Sequence, residues 1–338
     1  MSNASPALGL LLSAKVDAAH GPRLDALAQA AGVGLQRHRV EDADPGRIDV
    51  AFFSRDLYEG SSLRTPGPLS DAFFRVADAA PALRWLHVCS SGQDLPQYAH
   101  ALARGIPVTA STGVTAAPIA QTAVAAILAQ SRGFDRWLAA QARHAWEPLT
   151  GEARPRDLSS MHVLVLGAGA IGQEIGRLCS ALGLRTTAVR RQPEPLPGFD
   201  AAIGFEQLDE ALPQCDWLVL ALPLNPSTAG IIGERRLALL PRGARVVNVA
   251  RGELIDEAAL THALAAGRLA GAYLDTFTEE PLPKASPLWS LPSVWISPHN
   301  SAASLGHEDR VVDCFAGHFQ RWLARHAARL DGFAPERT

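Results

Sequence analysis

Val163-Leu164-Val165-Leu166-Gly167-Ala168-Gly169-Ala170-Ile171-Gly172 decides how this chain is read. Four apolar residues in succession predict a strand buried on both faces, as in a parallel sheet. The strand runs into Gly-x-Gly-x-x-Gly, and Gln173 to Leu182 then reads as a helix. In such a turn each glycine has a physical job. Gly167 permits the tight bend, Gly169 lets a pyrophosphate approach the backbone, and Gly172 lets helix and strand pack closely. The anion would rest on the free N–H groups that open the helix. Gly167, Gly169, Ala170, Ile171 and Gly172 are therefore expected against a dinucleotide.

With 338 residues the chain can bury more than one core, so two domains are expected. Apolar residues make up 47% and charged residues 19%, a globular balance rather than a disordered one. A net charge of -3 gives no electrostatic reason to expect nucleic acid or an anionic membrane. Cys89, Cys179, Cys215 and Cys314 are widely spaced and form no Cys-x-x-Cys, which points to reduced thiols in the cytoplasm. The apolar run Ala7 to Leu12 is short, lacks a basic leader and reads as a first strand rather than a signal peptide. No apolar stretch approaches the length of a membrane span.

Strand and helix signals alternate over residues 1–110. Strands are expected at Leu8–Leu12, Gly32–Val40, Ile48–Phe53, Leu83–Cys89 and Pro107–Thr109, with helices at Leu24–Ala31 and Ser70–Ala79. This predicts a small parallel α/β domain without a dinucleotide fingerprint. Gly60–Pro68 reads as a turn-rich loop, and Ala110–Ala117 as a crossover between domains. Ile119–Gln130 and Arg132–Trp146 read as helices. Beyond the glycine-rich unit, strands are expected at Thr186–Val189, Trp217–Leu222, Arg245–Val249, Leu269–Leu274 and Val294–Ile296. Helices are expected at Glu234–Leu240 and Ile255–Ala266, and one long amphipathic helix from about Ser304.

Ligands of doubly wound sheets bind beyond the carboxyl ends of the strands. Arg251, Asp275 and His299 follow such ends, and Glu280 lies in the loop after Asp275. A cation to hold an anion, an acid–base residue and a carboxylate to tune it are the parts needed to move a proton and a hydride at a 2-oxo or 2-hydroxy acid. No histidine–carboxylate cluster has metal-ligand spacing, so no metal is expected.

The chain resembles the D-isomer-specific 2-hydroxyacid dehydrogenase family. The resemblance rests on Gly167–Gly172, Leu222-Pro-Leu-Asn-Pro-Ser-Thr228, Val247-Asn-Val-Ala-Arg-Gly252, Leu274-Asp-Thr-Phe-Thr-Glu-Glu-Pro-Leu-Pro283, Ser286-Pro-Leu-Trp289 and Ser297-Pro-His-Asn300, in family order. These cover roughly residues 160–300. Over residues 1–110 it rests on the β/α alternation and Ser90-Ser-Gly-Gln-Asp94. The resemblance implies that Arg251 holds the substrate carboxylate through its planar fork. It makes His299 the general acid/base, a role that suits imidazole because its unperturbed pKa lies near neutrality. It makes Glu280 the carboxylate that favours the charged histidine. Glu279 is an immediate rival that sequence alone leaves open, and family spacing from Asp275 selects Glu280. A glutamate rather than glutamine there implies hydroxyacid chemistry rather than formate oxidation. Asp275 would contact the nicotinamide side of the coenzyme, or order the loop at its strand end. The backbone of Ser91 and Gly92 would receive the substrate carboxylate. Leu222, Pro223, Thr228, Val249 and Ala250 would line the coenzyme.

NAD sites usually place an acid at the end of the second strand, on the ribose 2′-hydroxyl. Arg190 and Arg191 occupy that place here, with no acid before Glu194. Two guanidinium groups attract a 2′-phosphate, so NADP(H) is the expected coenzyme, with NAD(H) admissible. The arginine pair and Pro-Leu-Trp289 are similar to the glyoxylate/hydroxypyruvate reductase branch, by analogy. Gln121 stands where many members have glutamate, and Arg55 is either a second anion clamp or a surface charge.

The expected architecture is two Rossmann-like α/β domains with doubly wound parallel sheets. A dinucleotide-binding domain (111–299) is inserted into a flavodoxin-like substrate domain (1–110 and 300–338), with the active site in the cleft and a hinge that closes over it. The expected activity is hydride transfer between NADP(H) and a small 2-oxo or D-2-hydroxy acid, by a cytoplasmic homodimer. The alternatives are a non-catalytic coenzyme-sensing protein on the same fold and a formate- or phosphite-type dehydrogenase.

Overall fold

The computed structural model describes residues 7–61, 66–92 and 96–330, the last four by backbone alone. Residues 62–65 of the turn-rich loop, Gln93 and Asp94 of the Ser90 motif, and 331–338 lie outside the described residues. The first half runs β1 (Leu8–Leu12), α1 (Ala14–Ala30), β2 (Leu35–Arg39), β3 (Val50–Phe53), α2 (Pro68–Ala79), β4 (Trp85–Val88), α3 (Ala99–Ala103), β5 (Val108–Ala110), α4 (Ala116–Ser131) and α5 (Phe134–Ala142). The second runs β6 (His162–Leu166), α6 (Ala170–Ala181), β7 (Arg185–Val189), β8 (Ala201–Ile203), α7 (Leu208–Ala211), β9 (Trp217–Leu220), α8 (Glu234–Leu239), β10 (Arg245–Asn248), α9 (Glu257–Ala265), β11 (Gly271–Leu274), β12 (Val294–Ile296) and α10 (His307–Leu330). Two compact units result: Met1–Val114 with Ser304–Thr338, and Thr115–Ala303.

In the first unit five strands pair in parallel in the order β2-β1-β3-β4-β5. This is the flavodoxin-like order, with its switch point between β1 and β3. All residues of β1 and β3 are buried, as both faces of the sheet are covered. One cover is α10, whose Phe315 stacks on Phe52 at 4.1 Å and on Trp85 at 5.5 Å. Helix α1 starts well before the Leu24 expected from sequence. Ser13 caps it by accepting the Val16 N–H at 3.1 Å. Gly21-Pro22 reads as a break, but burial of Val16, Leu24 and Ala28 carries the helix through it.

In the second unit seven parallel strands lie in the order β12-β11-β10-β9-β6-β7-β8. Counted from β6 this is the dinucleotide-binding order with one added strand, and its switch point lies between β6 and β9. The apolar run of β6 serves two cores. Val163 and Val165 join one with α4 and α6, while Leu164 and Leu166 join the other with α8 and α9. Alternate side chains of a strand face opposite ways, so a strand covered on both faces must be apolar throughout. Helix α5 ends at Ala142 rather than Trp146, and His144 follows at φ +55°. The short edge strand β8 was not foreseen: Ala201-Ala202-Ile203 is partly exposed and carries too little pattern to read.

Candidate active site and coenzyme cradle

The glycine-rich turn hangs at the switch point. The Gly167 N–H donates to the Val189 carbonyl at 2.9 Å, and the Ala221 N–H donates to the Leu166 carbonyl at 2.8 Å. Gly167 has φ +95°, and a Cβ there would lie 2.6 Å from the Ala221 oxygen. A Cβ on Gly172 would lie 1.9 Å from the Gly167 oxygen. Both glycines are thus required by the protein's own packing. Gly169 is different: it is exposed, and a Cβ would meet nothing within 4 Å. It precedes Ala170 and Ile171 at the start of α6, where no side chain caps the helix. Open space in front of uncapped N–H groups fits a phosphate.

Around this cradle, Leu222 is buried and Pro223 exposed. Thr228 is buried; its hydroxyl donates to the Pro223 carbonyl at 2.8 Å and accepts the Asn225 N–H at 2.9 Å, so it shapes the turn. Val249 and Ala250 are buried just beyond β10. Arg190, half-buried, and Arg191, exposed, follow β7, and Arg190 is fixed by its N–H donating to the Ile203 carbonyl at 3.0 Å. Among the described residues, neither guanidinium has a hydrogen-bond or ion-pair partner, which leaves both available to an anion.

The strand ends of the same unit gather the acid–base groups. After β10, Asn248 staples the turn: its amide nitrogen donates to the Arg251 carbonyl at 2.8 Å, and its oxygen accepts the Ala250 N–H at 3.1 Å. Arg251 is half-buried, and one arm of its guanidinium donates to the Ala250 carbonyl at 2.8 Å. A Cβ on the neighbouring Gly252 would lie 2.0 Å from the Phe277 carbonyl carbon, so this turn packs directly on the loop that carries Glu280. That loop is held by two N–H groups. Phe277 donates to Glu280 Oε1 at 3.0 Å, and Thr278 donates to Glu257 Oε2 at 3.0 Å.

His299 meets Glu280 through Nδ1, 2.9 Å from Oε2 and 3.2 Å from Oε1. Burial pushes the Glu280 carboxyl up, but the hydrogen bond and charge of His299, the Phe277 N–H and the Arg251 charge outweigh it and hold it below the usual carboxylate range. An ionised carboxylate only accepts, so Nδ1 carries a proton and Nε2 is the nitrogen left to exchange one. Of the two adjacent glutamates, Glu280 is the one on His299, and Glu279 is exposed. The Glu280–Pro281 bond is cis.

His299 has φ +50°, rare for a residue with a side chain. Its N–H donates to the carbonyls of Asp275 at 2.8 Å and Ser297 at 3.0 Å. The buried Asp275 carboxylate takes donors from the same loop: Ser297 Oγ at 2.5 Å, the Asn300 and Ser301 N–H groups at 2.8 and 3.0 Å, and the Ser301 hydroxyl. Of the roles open to Asp275, ordering the strand-end loop is thus met within the chain. Asn248, Glu257, Tyr273, Ser297 and Ser301 escaped the sequence reading as supports. Asn248 and Ser297 lie inside the quoted motifs and could have been found there.

In the other unit, Ser91 is exposed and its carbonyl accepts the Thr112 hydroxyl at 3.3 Å. The Gly92 carbonyl accepts the Ser90 hydroxyl at 2.6 Å. Arg55 follows β3 and lies over the Tyr58 ring at 5.1 Å. Gln121 is exposed on α4. Among the described residues no set of three or more His, Cys, Asp or Glu side chains could hold a metal ion. No described helix is long and apolar enough to cross a membrane.

Residues 124–301, more than half the chain, match the sequence profile described as D-isomer specific 2-hydroxyacid dehydrogenase, NAD binding domain. The chain belongs to this family. The match spans both the glycine cradle and the Arg251, Glu280 and His299 loops. Among curated family members, glyoxylate/hydroxypyruvate reductase A of Serratia proteamaculans is 34% identical over 210 residues, 62% of this chain and 66% of that protein. The protein of the same name from Salmonella paratyphi B is 37% identical over 182 residues, 54% of this chain and 57% of its own length. The chain thus spans less than two thirds of the length of these relatives. A solved D-isomer specific 2-hydroxyacid dehydrogenase from Xanthobacter autotrophicus, in complex with NADPH and MES, has a TM-score of 0.69 at 28% identity, over 98% of this chain and 96% of that one. A glyoxylate reductase from Paecilomyes thermophila, with a TM-score of 0.73 at 23% identity over 94% and 96%, shares the fold.

Proposed function

We propose that this chain is an oxidoreductase that reversibly reduces a small 2-oxo acid, of the glyoxylate or hydroxypyruvate type, to the D-2-hydroxy acid. The preferred coenzyme is NADP(H), with NAD(H) as the second. The observation that carries the reading is the His299–Glu280 pair at 2.9 Å, within reach of the Arg251 charge and with no hydrogen-bond partner on Nε2 among the described residues. The relatives named glyoxylate/hydroxypyruvate reductase A and the NADPH complex of the Xanthobacter enzyme support it.

Gly167, Gly169, Ala170, Ile171 and Gly172 would hold the coenzyme phosphates, and Arg190 and Arg191 a 2′-phosphate. The bound nicotinamide supplies or accepts the hydride. Arg251 grips the substrate carboxylate with its fork and orients the 2-oxo carbon beside it. His299 delivers the Nε2 proton to the carbonyl oxygen as its negative charge develops, and takes it back in the oxidation direction. Glu280 stabilises the imidazolium and fixes the ring through Nδ1, a role that needs an ionised carboxylate.

A homodimer in the cytoplasm belongs to the same proposal. It is supported by the exposed apolar side chains of Phe134, Trp137 and Leu138 on α5 and of Trp146, which is 97% exposed. The free cysteines Cys89, Cys179, Cys215 and Cys314 fit a reducing compartment. The decisive experiment follows reduced-coenzyme absorbance with glyoxylate, hydroxypyruvate, pyruvate and a bulkier aryl 2-oxo acid, each with NADPH and NADH. Turnover with NADPH above NADH is the expected result. Coenzyme binding without turnover of any acid refutes the reading in favour of a sensing protein.

A further inference from the structure

Asp275 is 2% exposed, and its carboxylate accepts four donors, three on Oδ1 and one on Oδ2, all from the segment 297–301 around His299. A carboxylate offers about two lone-pair sites per oxygen, so this segment saturates Oδ1 and leaves a site on Oδ2. The donors also have a backing. The Ser297 proton is committed to Asp275 Oδ1, so the Tyr273 hydroxyl, 2.7 Å away, must donate to Ser297 Oγ. Burial pushes the Tyr273 phenol up to about 12, which keeps that donor protonated at any working pH. Tyr273 and Asp275 stand on and just after β11, whose pairing with β10 and β12 fixes them.

What this arrangement acts on is the His299 backbone. A left-handed conformation is unfavourable for a residue with a side chain, and it reverts unless its surroundings impose it. Here the imposing groups are the Asp275 carbonyl on the His299 N–H and the Asp275 carboxylate on the next two N–H groups. We infer that Asp275, Ser301 and the Tyr273–Ser297 pair are positioning residues: they hold His299 in its left-handed turn, with Nδ1 on Glu280 and Nε2 directed to the reacting atoms. Asp275 therefore serves the acid–base group through this loop. The inference rests on the proposed reductase reading for its kinetic arm, and on the geometry alone for its exchange arm.

The test compares Ser301→Ala, Ser301→Thr and Tyr273→Phe with the wild type, in the intact chain. Misplacing a proton donor by a fraction of an ångström costs on the order of tenfold in kcat, so Ser301→Ala should lose about that much with NADPH affinity changed less than about twofold. Ser301→Thr keeps the hydroxyl and should restore kcat. Tyr273→Phe removes a single oxygen and should lose about threefold in kcat at unchanged coenzyme affinity. Amide hydrogen exchange at His299, Asn300 and Ser301 should quicken in Ser301→Ala and return to the wild-type rate in Ser301→Thr. A rise in NADPH Kd that matches the fall in kcat overturns the inference, because the loss would then arise from coenzyme binding rather than from the placement of His299. Unchanged exchange at the three amides overturns it as well. A wild type that turns over no 2-oxo acid defeats the reductase reading instead, and the exchange result then decides the clamp by itself.

Discussion

Replacing Glu280 by glutamine isolates the charge in the proposed acid–base pair. The carboxylate lies 2.9 and 3.2 Å from His299 Nδ1, and the glutamine oxygen can keep a hydrogen bond of the same geometry. What is lost is the attraction for a protonated ring. Two unit charges about 3 Å apart in an effective dielectric of about 20 attract by roughly 5 kcal/mol, an upper bound. The His299 side chain is 33% exposed and Glu280 15%, so water screens part of that attraction. Hydrogen bonds to charged groups contribute about 1.5–3 kcal/mol, and a loss near 2 kcal/mol is the reasonable centre. Without the carboxylate less of the ring is protonated, so kcat for reduction, which needs the protonated imidazole, should fall by up to about 30-fold toward alkaline pH and little at acidic pH. Oxidation starts from the neutral ring and charges it in the transition state, so its kcat should lose that stabilisation even at alkaline pH, where the ring is already neutral. The assay is steady-state turnover in both directions at saturating coenzyme, with coenzyme affinity measured by fluorescence titration. Reduction retained within about threefold at alkaline pH would refute the reasoning, since a charge worth about 2 kcal/mol cannot be removed there without effect. Equal losses in both directions at all pH values would also refute it and point to a fold defect.

Other perturbations separate the cradle, the coenzyme pair and the core. Changing Arg190 and Arg191 to alanine should raise the NADPH Kd at least about tenfold and leave the NADH Kd within about twofold, as charge-assisted phosphate contacts alone are removed; equal weakening of both counts against the 2′-phosphate contact. Gly169→Ala meets no protein atom within 4 Å, so thermal unfolding of the coenzyme-free protein should be unchanged while coenzyme affinity falls. Gly172→Ala places a Cβ 1.9 Å from the Gly167 oxygen and should lower both, and identical behaviour of the two variants would contradict the assignment. His87 is buried between Thr109 and Ser111, and burial, with the neighbouring His318, pushes its imidazole from 6.5 down to about 3. The unfolded chain therefore binds a proton that the folded one refuses, so stability is complete above pH 6.5 and is lost as pH falls toward about 3, by up to about 1.4 kcal/mol per pH unit. Urea midpoints should fall more steeply between pH 6 and 4 in the wild type than in His87→Gln, and parallel slopes would refute this.

The parts of the fold that were legible in sequence are those where one physical demand acts on consecutive residues. β6 had to be apolar on both faces because α4 and α6 cover one and α8 and α9 the other. Gly167 and Gly172 could be read because only glycine fits their contacts. Arg251, Glu280 and His299 were legible through motif order, and each lies in a short loop directly after a strand or within it. The start of α1 was hidden because Gly21-Pro22 is a local break signal that core packing overrides. The left-handed turn at His299 was hidden for a different reason. It depends on Asp275 and Ser301, residues distant in sequence from each other, and no local propensity encodes a carboxylate that gathers donors from a remote loop.

The supports explain why three strand ends suffice to build such a site. Arg251, Glu280 and His299 are each held through backbone hydrogen bonds rather than through side-chain packing: Asn248 on the Arg251 turn, Glu257 on the Thr278 N–H, and Asp275 on the His299 loop. Their side chains stay partly exposed, as groups that must meet a substrate have to be. The left-handed cost at His299, roughly 1–2 kcal/mol, is offset by bonds that each contribute about 0.5–1.5 kcal/mol. The balance is narrow, so removing one or two donors should let His299 relax to an ordinary backbone while the seven-stranded sheet stays folded. The functional geometry is then less stable than the fold that carries it. Damage to these supports should consequently appear first in turnover and in exchange of the loop amides, and only later in global unfolding.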